Sequence, residues 1–139
     1  MQIRMTVTQR SLITHEGGES TELSSVSLGC LGDGVLTYTE ETEGAKVYHR
    51  ITLEGRDAIT VSRSGAVVSD IRFKAGTRHT SVYRIPPYSF DMTVDTESLQ
   101  IEREGDTLTI ALVFSSLLGG SRQRTEMTIK ATPREEICP

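Results

Sequence analysis

The sequence predicts an all-β protein, a single-domain antiparallel up-and-down barrel of about eight to ten strands. Apolar and polar residues alternate with a period of two from Ile3 to Ala131, which places alternate side chains on opposite faces of each strand. Short glycine-containing turns separate the alternating runs. No stretch repeats apolar residues at helical spacing over about a dozen residues. The chain is therefore expected to be a meander of strands with one buried face each.

The alternation places strands, in order, over residues 3–14, around 26–30, over 35–41, 46–54, 67–74 and 78–85, with a further strand between the turns at 55–57 and 64–65. Extended segments follow over 88–94 and 99–103, and the last two strands lie over 106–118 and 121–131. The turns between them fall at 15–20, 32–34, 43–44, 55–57, 64–65, 75–77 and 119–120. Pro86 and Pro87 end the strand before them, because proline has no backbone N–H to donate to a neighbouring strand. We expect residues 1–132 to form the domain and residues 133–139 to form a flexible tail.

The last hairpin has the best-defined register. Gly119 and Gly120 suit a two-residue turn in which both residues have positive φ. Pairing outward from this turn sets three apolar residues opposite partners on one face, namely Phe114 opposite Thr125, Leu112 opposite Met127 and Ile110 opposite Ile129.

Pairing residues outward from a two-residue turn at Ser64 and Gly65 gives a register that does not fit the apolar pattern. A two-residue turn there would put Val61 and Ile71 on opposite faces. A β-bulge that uses Gly65 restores the common face, and bulges help a sheet to curl closed. We expect the first strand to pair near the last and so to close the barrel.

Composition limits the function classes. A chain of 139 residues, 36% hydrophobic and 24% charged, is long enough to bury a core without metals or disulfides. A net charge of -4 argues against general nucleic-acid binding. The sequence contains neither an apolar run of membrane-spanning length nor a basic-then-apolar leader. We expect a cytoplasmic protein that binds neither nucleic acid nor membranes.

Cys30 and Cys138 are the two cysteines. They lack the CxxC spacing and the nearby histidines of a structural zinc site. The favoured interpretation is a small apolar residue at Cys30 and an incidental thiol at Cys138, and a disulfide between them is the alternative.

Several segments resemble the YwiB-like family of small bacterial proteins, which is labelled a domain of unknown function. The resemblance rests on RSGAVVSDIRF at 63–73, on Gly76, on Tyr83 followed by PPYS, and on LLGG at 117–120. Ser89 departs from the pattern, in which glycine is expected after Pro-Tyr. The resemblance implies a calycin-like, lipocalin-style β-barrel and brings no activity with it.

No catalytic motif is present. The sequence contains no HExxH, GxSxG, P-loop or GxGxxG segment, and no catalytic residues, metal ligands or cofactor are predicted. His15, His49 and His79 lie in separate elements, without ligand spacing in any one of them. Acidic residues cluster at 40–43 and 102–106 beside turns, and both clusters are interpreted as solvated loop charge.

Four arginines are expected on outward faces, and they form a candidate basic surface patch: Arg72, Arg84, Arg122 and Arg124. The first interpretation is charge that protects strand edges, and the alternative is an anion-binding or acidic-partner surface. No aromatic residue alternates with them, so a stacking platform for single-stranded nucleic acid is absent.

The candidate ligand site is predicted among the residues that face the barrel interior. Six polar residues are predicted there among apolar neighbours: His49, Arg63, Ser69, His79, Ser81 and Tyr83. His49 falls opposite Arg63 if the turn is centred near Arg56. Buried polar groups need partners, so this set is either an internal hydrogen-bond network or a wet pocket.

Three functions remain open at this point. The first is a protein that holds a small, partly apolar ligand in the barrel. The second is an interaction module or homodimer that acts through its outer surface. The third and least favoured is an enzyme built around His79 and Tyr83.

Overall fold

The structure, a computed structural model, describes residues 2–134. This part of the chain contains ten strands: β1 (Ile3–His15), β2 (Ser20–Gly32), β3 (Val35–Thr42), β4 (Ala45–Glu54), β5 (Ala58–Gly65), β6 (Ser69–Lys74), β7 (Arg78–Ile85), β8 (Tyr88–Glu104), β9 (Thr107–Leu118) and β10 (Ser121–Pro133). Within residues 2–134 there is no helix long and apolar enough to cross a membrane. The all-β prediction is confirmed.

All ladders are antiparallel, and the strands lie in the order β6-β5-β4-β3-β2-β1-β10-β9-β8-β7. The predicted pairing of the first strand with the last is confirmed, since β1 pairs with β10 from Met5 opposite Pro133 to His15 opposite Gln123. The two edges of this sheet are β6 and β7, and they approach each other. The result is a nearly closed up-and-down barrel.

The closure between β6 and β7, hereafter the seam, differs from the expected hairpin. The turn is present, with the Thr77 N–H donating to the Lys74 carbonyl at 3.0 Å, but no ladder joins the described residues of β6 and β7. An isolated bridge joins Val68, just before β6, to Arg84. The Arg72 N–H instead donates to Nδ1 of His79 at 2.8 Å. Because strong strand twist separates edges as a barrel curls, a side chain here replaces a ladder hydrogen bond.

The predicted registers are confirmed at two hairpins. Phe114 lies opposite Thr125, and the other two predicted pairs of that hairpin also form. His49 lies opposite Arg63 between β4 and β5.

The common face of Val61 and Ile71 is also confirmed, because the two residues are ladder partners. The residues that a two-residue turn lacks lie in the longer connection at 64–68, and not in a bulge inside the β5–β6 ladder. Gly65 has a φ of 94°, and a Cβ there would collide with the Lys46 carbonyl oxygen, so glycine is required.

Two boundaries differ from the prediction. The segments 88–94 and 99–103 belong to one strand, β8, which carries a register shift between Thr96 and Ser98. At the C-terminal side, Pro133 still belongs to β10, and the Arg134 N–H donates to the Arg4 carbonyl at 2.9 Å. Residues 135–139, including Cys138, lie outside the described residues, so the predicted tail and the alternative disulfide stay predictions.

The barrel has two unlike ends. Turns at 33–34, 55–57, 75–77 and 105–106 surround a packed end, where core side chains such as Leu36, Ile51 and Leu108 are fully buried. The connections at 16–19, 43–44, 66–68, 86–87 and 119–120 surround the other end, hereafter the mouth. Inward side chains become polar toward the mouth, as Ser27 and Thr125 illustrate. The site described below lies in this polar layer.

We predict that His79→Leu weakens the seam without unfolding the barrel. The variant loses the acceptor for the Arg72 N–H, and a lost hydrogen bond of this kind costs about 1 kcal/mol. Hydrogen exchange of the Arg72 amide should accelerate, while amides of the β9–β10 ladder keep their protection. His15→Leu, at a histidine beside the β1–β2 turn, is the matched control. Unchanged exchange at Arg72 would contradict this role.

Candidate functional site

The polar layer contains a row of aligned side chains on three neighbouring strands. Tyr38 on β3 is the ladder partner of His49 on β4, and His49 is the partner of Arg63 on β5. Ladder partners project from the same face of a sheet, so all three side chains lie inside the barrel. Glu40 follows Tyr38 at the next inward position of β3, closer to the mouth.

Tyr38 is the most enclosed member of the row. Its ring stacks on the His49 ring, with centroids 4.5 Å apart and planes 5° apart, and its hydroxyl donates to Oε1 of Gln9 at 2.8 Å. Burial raises the pKa of the Tyr38 hydroxyl, and the charge of Glu40 raises it further. Gly29 lies opposite, where a Cβ would collide with the Thr37 carbonyl oxygen and the Cβ of Tyr38. The close approach of β2 to β3 beside Tyr38 therefore requires glycine at that position.

His49 is 6% exposed, and its Nε2 lies 2.7 Å from Oε1 of Glu40. The distance is that of an ion pair, but the ring N–H is not aligned with the carboxylate oxygen. The His49 contact lowers the pKa of Glu40 from its ordinary value, burial opposes this, and Arg63 adds to the lowering. Glu40 was expected to be solvated loop charge. It instead faces the interior, because it has the same inward phase as Tyr38.

Two further buried donors, one in this row and one beside it, have no hydrogen-bond partner among residues 2–134. They are Nε of Arg63 and Oγ of Ser69, and these two residues are ladder partners between β5 and β6. Ser69 is only 4% exposed. An unpaired buried polar group costs about 1–3 kcal/mol, so these atoms require an explanation.

A cavity of about 450 Å³ opens from this row toward the mouth. Its polar walls come from Gln9, Glu40, His49 and Arg63, and its apolar walls include Val47, Val67 and Ile85. A larger depression of about 590 Å³ lies across β1, β2, β9 and β10, but the unpaired buried atoms found in residues 2–134 do not line it. The smaller cavity is therefore the better candidate site.

The mouth itself is lined by large apolar side chains of the inward phase. Leu23, Ile85, Tyr88 and Phe90 belong to this phase, as their ladder partners show, yet they are 39–66% exposed. Phe90 also lies against the β9–β10 turn at Gly119. Leu53 and Ile101 near the packed end are partly buried, whereas the four mouth residues are exposed, so among residues 2–134 the exposed large apolar side chains of the inward phase lie at the mouth.

The structure brings together three of the six predicted ligand residues: His49 and Arg63 line the cavity, and Ser69 is the ladder partner of Arg63 without lining the cavity. The other three, His79, Ser81 and Tyr83, lie on β7 and do not line the cavity, although they face inward as predicted. His79 contributes to the seam, and Tyr83 packs against the core. Whether any of the six binds a ligand stays a prediction.

Sequence reasoning did not identify Gln9, Tyr38 or Glu40 as site residues. The signal for two of them was present, because a two-residue turn at 43–44 sets Tyr38 opposite His49 and Glu40 opposite Val47. The contact with Gln9 depends on the separation of β2 from β3 before Gly29, for which the alternating pattern carries no signal.

The four arginines of the predicted basic patch all project outward but lie in two places. Arg72 and Arg84 are beside the seam, and Arg122 and Arg124 are on β10, which β9 and β8 separate from β7. Arg72 contacts Glu54 at 3.0 Å, and Arg124 contacts both Glu97 and Glu126.

These four residues therefore do not form one continuous patch, and two of them are partly neutralised by carboxylates. Anion or partner binding by this surface stays a prediction. Within residues 2–134, no group of three or more His, Cys, Asp or Glu side chains could hold a metal ion.

We predict that Glu40→Gln destabilises the protein by about 1 kcal/mol at neutral pH, because a partly buried charged contact with His49 is lost. The pKa of Glu40 in the folded state lies below its ordinary 4.5. The contribution should therefore be complete above about pH 4.5 and disappear as the pH falls through the lower folded-state value. Urea unfolding of both proteins between pH 3 and 7 measures this. A difference that does not change with pH would exclude the mechanism.

Comparison with known proteins gives a family and a fold. The structure is similar to the crystal structure of the ywiB protein from Bacillus subtilis, with a TM-score of 0.78 over 96% of this chain and 93% of that one. The sequence identity is 20%, so this likeness shows the fold alone. No curated protein matches the sequence. Residues 7–130 match the DUF1934 family, and the chain therefore belongs to this family, whose common domain is described as a domain of unknown function.

Proposed function

We propose that this protein binds a small, partly apolar molecule in the mouth of its barrel. The observation that carries the proposal is the cavity of about 450 Å³ bordered by Arg63, whose buried Nε has no hydrogen-bond partner in residues 2–134. This volume is within the range of small-molecule sites.

The free-energy cost of burying the polar layer supports ligand binding as the function. A core made only of Ile, Leu and Val would leave no donor unpaired, whereas the Arg63 and Ser69 donors each carry a desolvation cost. The surrounding contacts hold the row rigidly, because Tyr38 stacks on His49 and hydrogen bonds to Gln9. Rigid polar groups beside an accessible cavity are the usual means of orienting a ligand.

The mouth indicates the orientation of the ligand. Ile85 lines the cavity, and Leu23, Tyr88 and Phe90 are exposed apolar side chains at the same end of the barrel. The polar row lies deeper. A molecule with one polar and one apolar end would match this order by inserting its polar end first. Burying the apolar end against the exposed mouth residues adds favourable free energy of about 25 cal/mol per Å².

Catalysis is less well supported. The enzyme hypothesis rested on His79 and Tyr83, and Nδ1 of His79 accepts the Arg72 N–H instead of facing a reacting group. A binding protein needs only the cavity and the oriented polar row, so we propose binding without chemistry. Fold similarity alone would be a weak reason for this choice.

We predict that the mouth responds to simple amphiphiles, tested as octanoate, octanol and octylamine. At least one of the three should shift the amide NMR signals of Leu23, Ile85 and Phe90 in a saturable way. Val67→Trp, which fills the cavity, should abolish these shifts. Val82→Trp, on the outward face of β7, is the matched control and should retain them.

Two results would contradict ligand binding in the mouth. The first is the absence of saturable shifts with all three compounds. The second is a set of shifts that persists unchanged in Val67→Trp, because the compounds would then bind elsewhere.

One observation favours the second candidate, an interaction module or homodimer. β2 pairs with β3 only through residues 29–32, so its segment 20–28 is hydrogen-bonded to β1 on one side alone. The outward side chains Val26 and Leu28 of this segment are 72% and 61% exposed. An uncovered edge with apolar side chains is a common place for chains to associate.

We predict that Val26→Lys favours the monomer if this edge joins two copies. Sedimentation velocity over a concentration series should show a dimer for the parent chain and a shift toward monomer for the variant. Thr109→Lys, on the outward face of β9, is the control. A parent chain that remains monomeric at every concentration would exclude the homodimer.

A further inference from the structure

We propose that the ligand carries an oxyanion, such as a carboxylate, and that Arg63 binds it. The inference rests on the proposed ligand-binding function and specifies the chemical class of the ligand. It is drawn from the position of Arg63, from the unpaired donors around it and from the charges that face the cavity.

Arg63 occupies the centre of the polar row. It lies between His49 on β4 and Ser69 on β6, and it is the ladder partner of both. A guanidinium at the middle of three inward-facing strands, with its side chain lining the cavity, is placed to meet a group that enters from the mouth. Guanidinium groups present several N–H donors in a planar arrangement that matches an oxyanion.

The unpaired groups near the cavity can donate hydrogen bonds. Nε of Arg63 and Oγ of Ser69 have no partner within residues 2–134. The Tyr38 hydroxyl donates to Oε1 of Gln9, which directs the amide NH₂ of Gln9 away from that bond. Gln9 lines the cavity together with Arg63, so donors from two strands, β1 and β5, face it. Ser69 is the ladder partner of Arg63 but is not a lining residue. An anion accepts hydrogen bonds from such donors, whereas a cation would leave them unpaired.

The charges favour the same ligand class. Glu40 is the acidic residue among those that line the cavity, and His49 contacts it at 2.7 Å. Within residues 2–134, Arg63 forms no ion pair shorter than 4.0 Å. A cationic ligand would therefore have to compete with His49 for Glu40 while lying beside the Arg63 charge. An anionic ligand would neutralise Arg63.

The apolar walls of the cavity indicate the chemistry of the rest of the ligand. Val47, Ala66, Val67 and Ile85 provide apolar surface between the polar row and the mouth. A molecule that uses both parts has an oxyanion at one end and a hydrocarbon or aromatic portion at the other. Octanoate and octyl phosphate are probes that share this chemistry and differ in the anion, and octanol and octylamine have the same chain without it.

The test compares these four probes by calorimetric titration at low ionic strength. At least one of the two anions should bind about tenfold or more tightly than octanol and octylamine. Arg63→Gln should weaken anion binding by about tenfold or more and leave octanol binding unchanged, as expected for loss of a charge-assisted hydrogen bond. Arg50→Gln, which removes an outward-facing arginine of β4, is the matched control and should bind as the parent chain does.

Arg63→Lys provides the second variant if Arg63→Gln does not fold. It retains the charge but not the planar donors, so the anion preference should decrease without disappearing. Equal or tighter binding of octanol would overturn the anion site and leave the ligand-binding function intact. So would an anion affinity that neither Arg63 variant changes. If none of the four probes binds, the proposed function itself fails.

Discussion

The pairing of β1 with β10 is the constraint on which the rest of the barrel depends. It joins residues more than a hundred positions apart, from Met5 opposite Pro133 to His15 opposite Gln123. Without it the chain would form two separate meanders, β1–β6 and β7–β10, each with an uncovered edge on both sides. Once it forms, the strands curl until β6 meets β7, and the inward faces enclose a common interior. The entropy of closing so long a loop must be offset by this ladder and the core beneath it.

The interior then divides because the two ends of the strands carry different residues. Toward the packed end, Leu36, Ile51 and Leu108 exclude water and provide the hydrophobic stabilisation. Toward the mouth, Tyr38 and His49 hold a polar row that the packed end supports from below. A polar row of this kind is tolerated only beside a well-packed apolar core, because each of its members lowers stability unless it has a hydrogen-bond partner.

Much of the fold could be predicted from the sequence, because each prediction depended on local chemistry. The glycine pair at 119–120 determines the register of β9 and β10, and the turn near Arg56 sets His49 opposite Arg63. The seam could not be predicted in this way, since its geometry follows from the curvature of all ten strands rather than from the turn at 75–77. For the same reason Gln9 could not be identified as a site residue, whereas Tyr38 and Glu40 follow from the turn at 43–44 and were missed. Alternation with a period of two also does not determine which of the two faces of a strand is buried. On β2 the apolar side chains of Val26 and Leu28 face outward.

The strand order has a consequence for how this chain could be rearranged. Residues 4 and 134 are hydrogen-bonded neighbours at the packed end, so a short linker could join β10 directly to β1. A circular permutant opened in the turn at 75–77 would then begin with β7 and end with β6, and every ladder would connect strands that follow one another in sequence. Its contact order would be lower than that of the parent chain, which favours faster folding. The native architecture is, in this sense, a simple meander in which β1 and β10 are neighbours near the middle of the strand order.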